Sequence, residues 1–336
     1  MRTPTLALAL LLALAGTALA DPIVIKIATV APEGSPWAAA LDSWKKDVES
    51  KAPGRVKVKV FKGGALGDEN ESLQATKRGQ IQGVGATTGA IGTLVPEVNV
   101  LELPYLFNNE QEADYIIDHV IGDKLRQHFH DRGLIVGFWS ENGFRSFGGK
   151  APIHTVSDLK GKKMRSQENP IHIATYRAFG ASPVPIPITE TLTSLQTGVV
   201  DGFDNTLLYT FAASWQSAIK YFSLTQHIYQ PAAIVFNRGQ FESWPSDIQE
   251  LVIQAGNRVV HDLRQQIRAM EPILIDNLKT AGVQVNTISA AELGSFQRAG
   301  EQVRFDYVGK ATANEKALYN QITQGLKEFR ARGGKK

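Results

Sequence analysis

The chain has 336 residues, 43% hydrophobic and 21% charged, which excludes a disordered tail or a fibre and supplies material for about two domains. It contains no cysteine, which excludes a disulfide scaffold, a thiol nucleophile and a Cys-ligated zinc site. Thirty-six basic residues against 33 acidic ones leave a net charge of +3, too small and too evenly spread for a nucleic-acid surface.

Residues 1–20 read as a secretory leader. Arg2 precedes a ten-residue apolar run at 6–15, and Ala18-Leu19-Ala20 supplies a small-x-small cleavage site. Gly16-Thr17 cuts the run well short of the roughly 20 residues needed to span a bilayer. The expected mature chain starts at Asp21, inserts in no membrane and, in a Gram-negative cell, resides in the periplasm.

The β-branched run 23–30 predicts a buried parallel strand, and Ser35 with Pro36 predicts the start of a helix. Trp37, Leu41, Trp44 and Val48 share one face of that helix, so both tryptophans are expected in the core. Val56-Lys57-Val58-Lys59-Val60 alternates as a second strand, a helix is expected over 68–78, and a third strand follows at 81–84. This β-α-β-α-β order predicts a parallel α/β sheet. A helix is expected over 113–131, then strands at 134–139 and 162–166 and a helix over 170–179. Three prolines confine 182–188 to an edge strand or connector. A helix capped by Thr189 and a strand at 199–203 close the unit. The last third reads as helices over 246–278 and 289–330 around a short strand at 283–285.

Motifs for catalysis are mostly missing. There is no G-x-S-x-G elbow and no H-E-x-x-H, and each Gly-Lys pair lacks the upstream glycine of a phosphate loop. The glycine-rich stretch 83–92 is one residue out of step with G-x-G-x-x-G; it reads as a tight turn that lets backbone approach a ligand. His128 and His130 face different ways on a helix, so they form no metal pair. The other histidines show no ligand spacing, and neither a cofactor nor a metal is expected. Two arginines stand apart. Arg145 follows one strand and Arg165 ends the next, where ligands of open α/β sheets collect, although position alone suits a surface arginine equally well.

The segment Asp158-Leu159-Lys160-Gly161-Lys162-Lys163-Met164-Arg165, the run Phe179-Gly180-Ala181-Ser182-Pro183-Val184-Pro185 and the string Leu195-Gln196-Thr197-Gly198-Val199-Val200-Asp201-Gly202-Phe203-Asp204-Asn205 closely resemble the solute-binding proteins of tripartite ATP-independent periplasmic (TRAP) transporters, the family named after the C4-dicarboxylate binder. Leu66-Gly67-Asp68 and Leu103-Pro104-Tyr105 also fit. The resemblance implies a two-lobed periplasmic binding protein fold, α/β in class, with two α/β domains joined by crossing strands and a long helix. The expected division is 21–142 plus 231–270 for the first lobe and 143–230 plus 271–336, with the C-terminal helices, for the second. It implies a non-enzymatic receptor that closes on a carboxylate-bearing organic acid and hands it to the membrane subunits of a permease. Arg165 matches the family's selectivity arginine, Arg145 a second, helping arginine and Asn205 an amide that hydrogen-bonds the ligand. Ser166-Gln167-Glu168-Asn169 after the first arginine and Phe203-Asp204-Asn205-Thr206 after the glycine depart from the family pattern, and Phe203 is expected to make the pocket more apolar. A receptor for a larger hydrophobic or aromatic acid is the alternative of the same class, and a secreted hydrolase the alternative of another.

Overall fold

The computed structural model describes residues 21–334; the expected leader lies outside them. Nine strands form one sheet: β1 (Ile23–Thr29), β2 (Val56–Phe61), β3 (Gly83–Thr87), β4 (Leu134–Gly149), β5 (Lys163–Ser166), β6 (Ser182–Pro185), β7 (Gly202–Asn205), β8 (Tyr221–Asn237) and β9 (Gln284–Thr287). Their order is β2-β1-β3-β8-β4-β7-β5-β6, with β9 paired to β8. β1 pairs in parallel with both β2 and β3, as the β-α-β-α-β order requires, and β5 pairs in parallel with β6 and β7. The proline-bearing β6 occupies the edge, where a missing backbone N–H costs no ladder bond.

The two α/β halves are held together by β4 and β8, 16 and 17 residues long and antiparallel to each other. The sequence pattern shows only the first six residues of β4 and none of β8. Both strands change register midway: Gly143, at φ 107°, sits between Glu141 and Phe144, and Pro231 lies opposite Glu141. Only glycine adopts that φ without strain, so Gly143 is where β4 bends from one half to the other. Beside them runs the helix Ser246–Thr280, 35 residues long. Arg268 ties it to Asp114 and Glu141 at 2.6–3.0 Å.

The C-terminal helical stretch is two helices, Ala290–Lys310 and Ala313–Ala331, the second begun by a Thr312–Glu315 capping box. The first packs Phe296 against Phe147 and Phe179. The last helix packs elsewhere. It returns to the first half, where Phe329 stacks on Tyr115 at 4.9 Å and Arg330 grips Glu112 at 2.7–2.8 Å.

Four apolar clusters fill the layers on the sheet. Trp44 is fully buried among Phe138 and Phe236 and donates its indole N–H to the carbonyl of Val252 at 3.0 Å. It joins the helix Pro36–Lys51 to the long helix as well as to the sheet. Trp44→Ala should therefore cost about 3–5 kcal/mol of stability, read from the midpoint of urea unfolding at unchanged slope.

Candidate functional site

β5, β7 and β4 bring Arg165, Asp204, Asn205 and Arg145 together at the centre of the molecule, all buried. Arg145 and Asp204 form a two-pronged ion pair, with Nε to Oδ2 at 2.6 Å and Nη2 to Oδ1 at 3.0 Å. Nη2 also donates to the Asp204 carbonyl at 2.6 Å, and Nη1 donates to Gln230 at 2.7 Å and, at 3.5 Å, to Asn205. These contacts engage all five N–H groups of the guanidinium. Arg145 holds Asp204, Asn205 and Gln230 in place and, in this conformation, has no donor left to offer a solute.

Asp204 also accepts from Tyr176 at 2.6 Å and lies 3.3 Å from His227 Nε2. Burial pushes its carboxyl up, but the Arg145 charge and the His227 and Arg145 hydrogen bonds outweigh that and hold it well below the usual carboxylate range. Burial depresses His227 more than Asp204 raises it, so its imidazole is neutral near pH 7. The network continues through Gln230 to Glu102, which His172 contacts from the other half at close range. Sequence spacing gave no hint of His172 and His227, because the fold joins residues 55 apart.

Arg165 is in the opposite condition. Its Nε donates to the Ile186 carbonyl at 3.0 Å, its Cζ stands 5.9 Å from the Trp215 ring centroid, and its Nη1 is buried with no partner. Burial first, then the nearby Arg145 charge, pull this guanidinium down to about 10. Asn205 is similar: its Oδ1 accepts from Asn142 and the Thr206 N–H, while its Nδ2 is buried and unpartnered. Phe203 stands elsewhere than the expected pocket wall. It lies in the core, edge-on to Trp215 at 4.8 Å, and lines neither cavity described below.

Two cavities meet at Glu69. One, about 300 Å³ of empty volume, is bounded by Arg165, Gln167, Ile186 and Glu69. The other, about 670 Å³ and partly open to solvent, runs from Glu69 past Trp37 and Tyr209 to Val260 and Leu263. Trp37 is thus a cleft residue, while its helical neighbour Trp44 is core. Glu69 accepts from the Thr87 N–H at 2.7 Å, the Thr87 hydroxyl at 3.1 Å and Gln167 at 3.3 Å, and burial pushes its carboxyl up. The halves touch across the cleft: Asn169 donates to the Gly89 carbonyl and to Asn99, and Asn70 to Glu168. A Cβ on Gly89 would clash with Gln167 Oε1, so this glycine admits a side chain from the other half. His128 and His130 reach Glu97 and Glu242 separately.

Residues 27–309 match the family model described as bacterial extracellular solute-binding protein, family 7. The chain belongs to that family. A solute-binding protein of Verminephrobacter eiseniae is 35% identical over 73% of this chain and 74% of its own length. The 2,3-diketo-L-gulonate-binding periplasmic protein YiaO of Escherichia coli is 30% identical over 78% of this chain and 80% of its own. Among solved structures, a TRAP periplasmic solute-binding protein of Xanthobacter autotrophicus with bound β-D-galacturonate superposes with a TM-score of 0.84, at 28% identity, covering 89% of this chain and 98% of that one. One from Bordetella bronchispeptica, with density assigned to pantoate, gives 0.83 at 30% identity over 89% and 98%. Among the described residues, no helix is long and apolar enough to cross a membrane.

The network predicts an acid-sensitive fold. Neutral His227 contributes stability that falls away as pH drops below its ordinary value of about 6.5, and ionised Asp204 adds a second loss as pH drops below about 4. Asp204→Asn should leave the Arg145 charge buried and uncompensated, costing about 3–5 kcal/mol at pH 7. It should also remove the lower of the two acid steps, as urea unfolding from pH 7 to pH 3 will show.

Proposed function

We propose that this chain is the extracytoplasmic receptor of a TRAP transporter and closes on one organic acid, whose carboxylate docks on Arg165. The observation that carries the proposal is the buried, unpartnered Nη1 of Arg165. A desolvated guanidinium with open donors, weakened by a neighbouring cation, is stabilised by an anion more than by any neutral group. Asn205 Nδ2 is the second open donor. Arg145 acts through Asp204 and Asn205 as a positioning residue, and Phe203 acts through Trp215, on whose ring Arg165 lies.

Export through a leader cleaved after Ala20 and delivery to permease subunits complete the reading, which family membership supports. The first lobe comprises 21–142, 231–270 and the last helix; the second comprises 143–230 and 271–310. Opening bends β4 and β8 near Gly143 and Pro231 and parts the Asn169, Gln167 and Asn70 contacts between the lobes. The solute is bound and released without turnover, so an acid incubated with the protein is recovered unchanged.

The test is isothermal titration with the strongest binder from a panel of monocarboxylates. Arg165→Ala should lose about 2–5 kcal/mol of binding, a 30-fold to several-thousand-fold rise in Kd, and Arg165→Lys should fall between the two because it restores charge without the planar fork. Arg165→Ala binding within twofold of the wild type, with melting intact, contradicts the assignment.

A further inference from the structure

We propose that the acid taken by this receptor carries a compact apolar body, a branched aliphatic chain or a single aromatic ring, and not the polyhydroxylated chain of a sugar acid. This deepens the reading above and rests on its carboxylate clamp. The larger cavity decides the matter by what its walls have left to offer. Trp37, Ala86, Ala233, Val260 and Leu263 make its surface largely hydrocarbon.

Most of its polar side chains already hold at least one hydrogen-bond partner. Thr29 Oγ1 accepts from the Ala31 N–H; Glu69 and Thr87 satisfy each other and Gln167. Asn142 donates to Asn205 and Gln230 and accepts from Thr206, and the Tyr209 hydroxyl turns to the Val30 carbonyl. The backbone of Gly85, Ala86, Thr87 and Ala232 to Ile234 is paired between β3 and β8. Ser140 Oγ is the one lining side-chain atom that is both buried and without a partner. A sugar acid brings four or more hydroxyls, each of which gives up water on entry. Each hydroxyl that finds no partner on this wall weakens binding by roughly 5- to 150-fold. An apolar body gains instead from every part of the wall it covers.

An unbroken aromatic path joins this cavity to the clamp. Trp37 meets Tyr209 at 6.1 Å, Tyr209 meets Trp215 at 5.4 Å, and Trp215 carries the Arg165 guanidinium at 5.9 Å. Glu69 borders both cavities, and Arg165 lines only the smaller one, so the one cation of the two walls marks the carboxylate end.

Isothermal titration of the full mature chain, stripped of bound solute by dialysis, uses four probes: phenylacetate, 4-methylpentanoate, D-galactonate and D-glucuronate. At least one of the first two should bind 100-fold or more tightly than either sugar acid. Trp37→Ala should weaken that binding at least tenfold, with the melting temperature of the unliganded protein as the check on its fold. Sugar acids binding as tightly as the apolar pair, with the affinity lost in Arg165→Ala, overturn this inference and leave the carboxylate reading standing. Failure of all four probes to bind contradicts both.

Discussion

The buried ion pair between Arg145 on β4 and Asp204 on β7 sets the terms for everything around it. Two charges taken out of water destabilise a fold unless they are fully hydrogen-bonded, and here they are: the guanidinium uses five donors, and the carboxylate receives Arg145 and Tyr176 with His227 at 3.3 Å. The arrangement fixes two neighbouring strands to each other at the point where the lobes meet. It also consumes the only carboxylate beside Arg165 on β5 and β7. Among the described residues the second arginine makes no direct ion pair and lies near the Arg145 charge, a condition that a bound anion relieves.

The same economy governs the cleft. Polar side chains that line it bond mainly to one another, and among the described residues Arg165 Nη1, Asn205 Nδ2, Ser140 Oγ and, deeper in the network, His172 Nδ1 are buried without a partner. In the proposed reading, recognition divides between a charged end and an apolar end. Small polar contacts, such as Asn169 with Asn99 and Gln167 with Thr87, join the halves across the cleft, and in the proposed reading these part when the lobes open. Larger apolar clusters fill each half.

Much of this was legible in the residues. Alternating and β-branched runs marked β1 and β2, prolines marked β6 as an edge, and strand-end positions marked Arg145 and Arg165 alike, with the family resemblance separating them. The crossing strands were hidden for a physical reason: β4 runs through Glu141-Asn142-Gly143 and β8 through Gln226 and Pro231, residues that signal turns locally and here build bulges at a bend. Trp37 and Trp44 share a helical face, yet only tertiary packing decides that one is core and the other cleft. The commitment of Arg145 to Asp204 is a contact across 59 positions, and no spacing rule reaches it.

The central claim is that the closed form needs an anion at Arg165, and native mass spectrometry of the protein purified without unfolding tests it most directly. The account predicts a fraction of molecules carrying one organic acid, identified by mass after release, and no such adduct on Arg165→Ala prepared in the same way. An adduct that is neutral or cationic, or one equally abundant on both proteins, would contradict it.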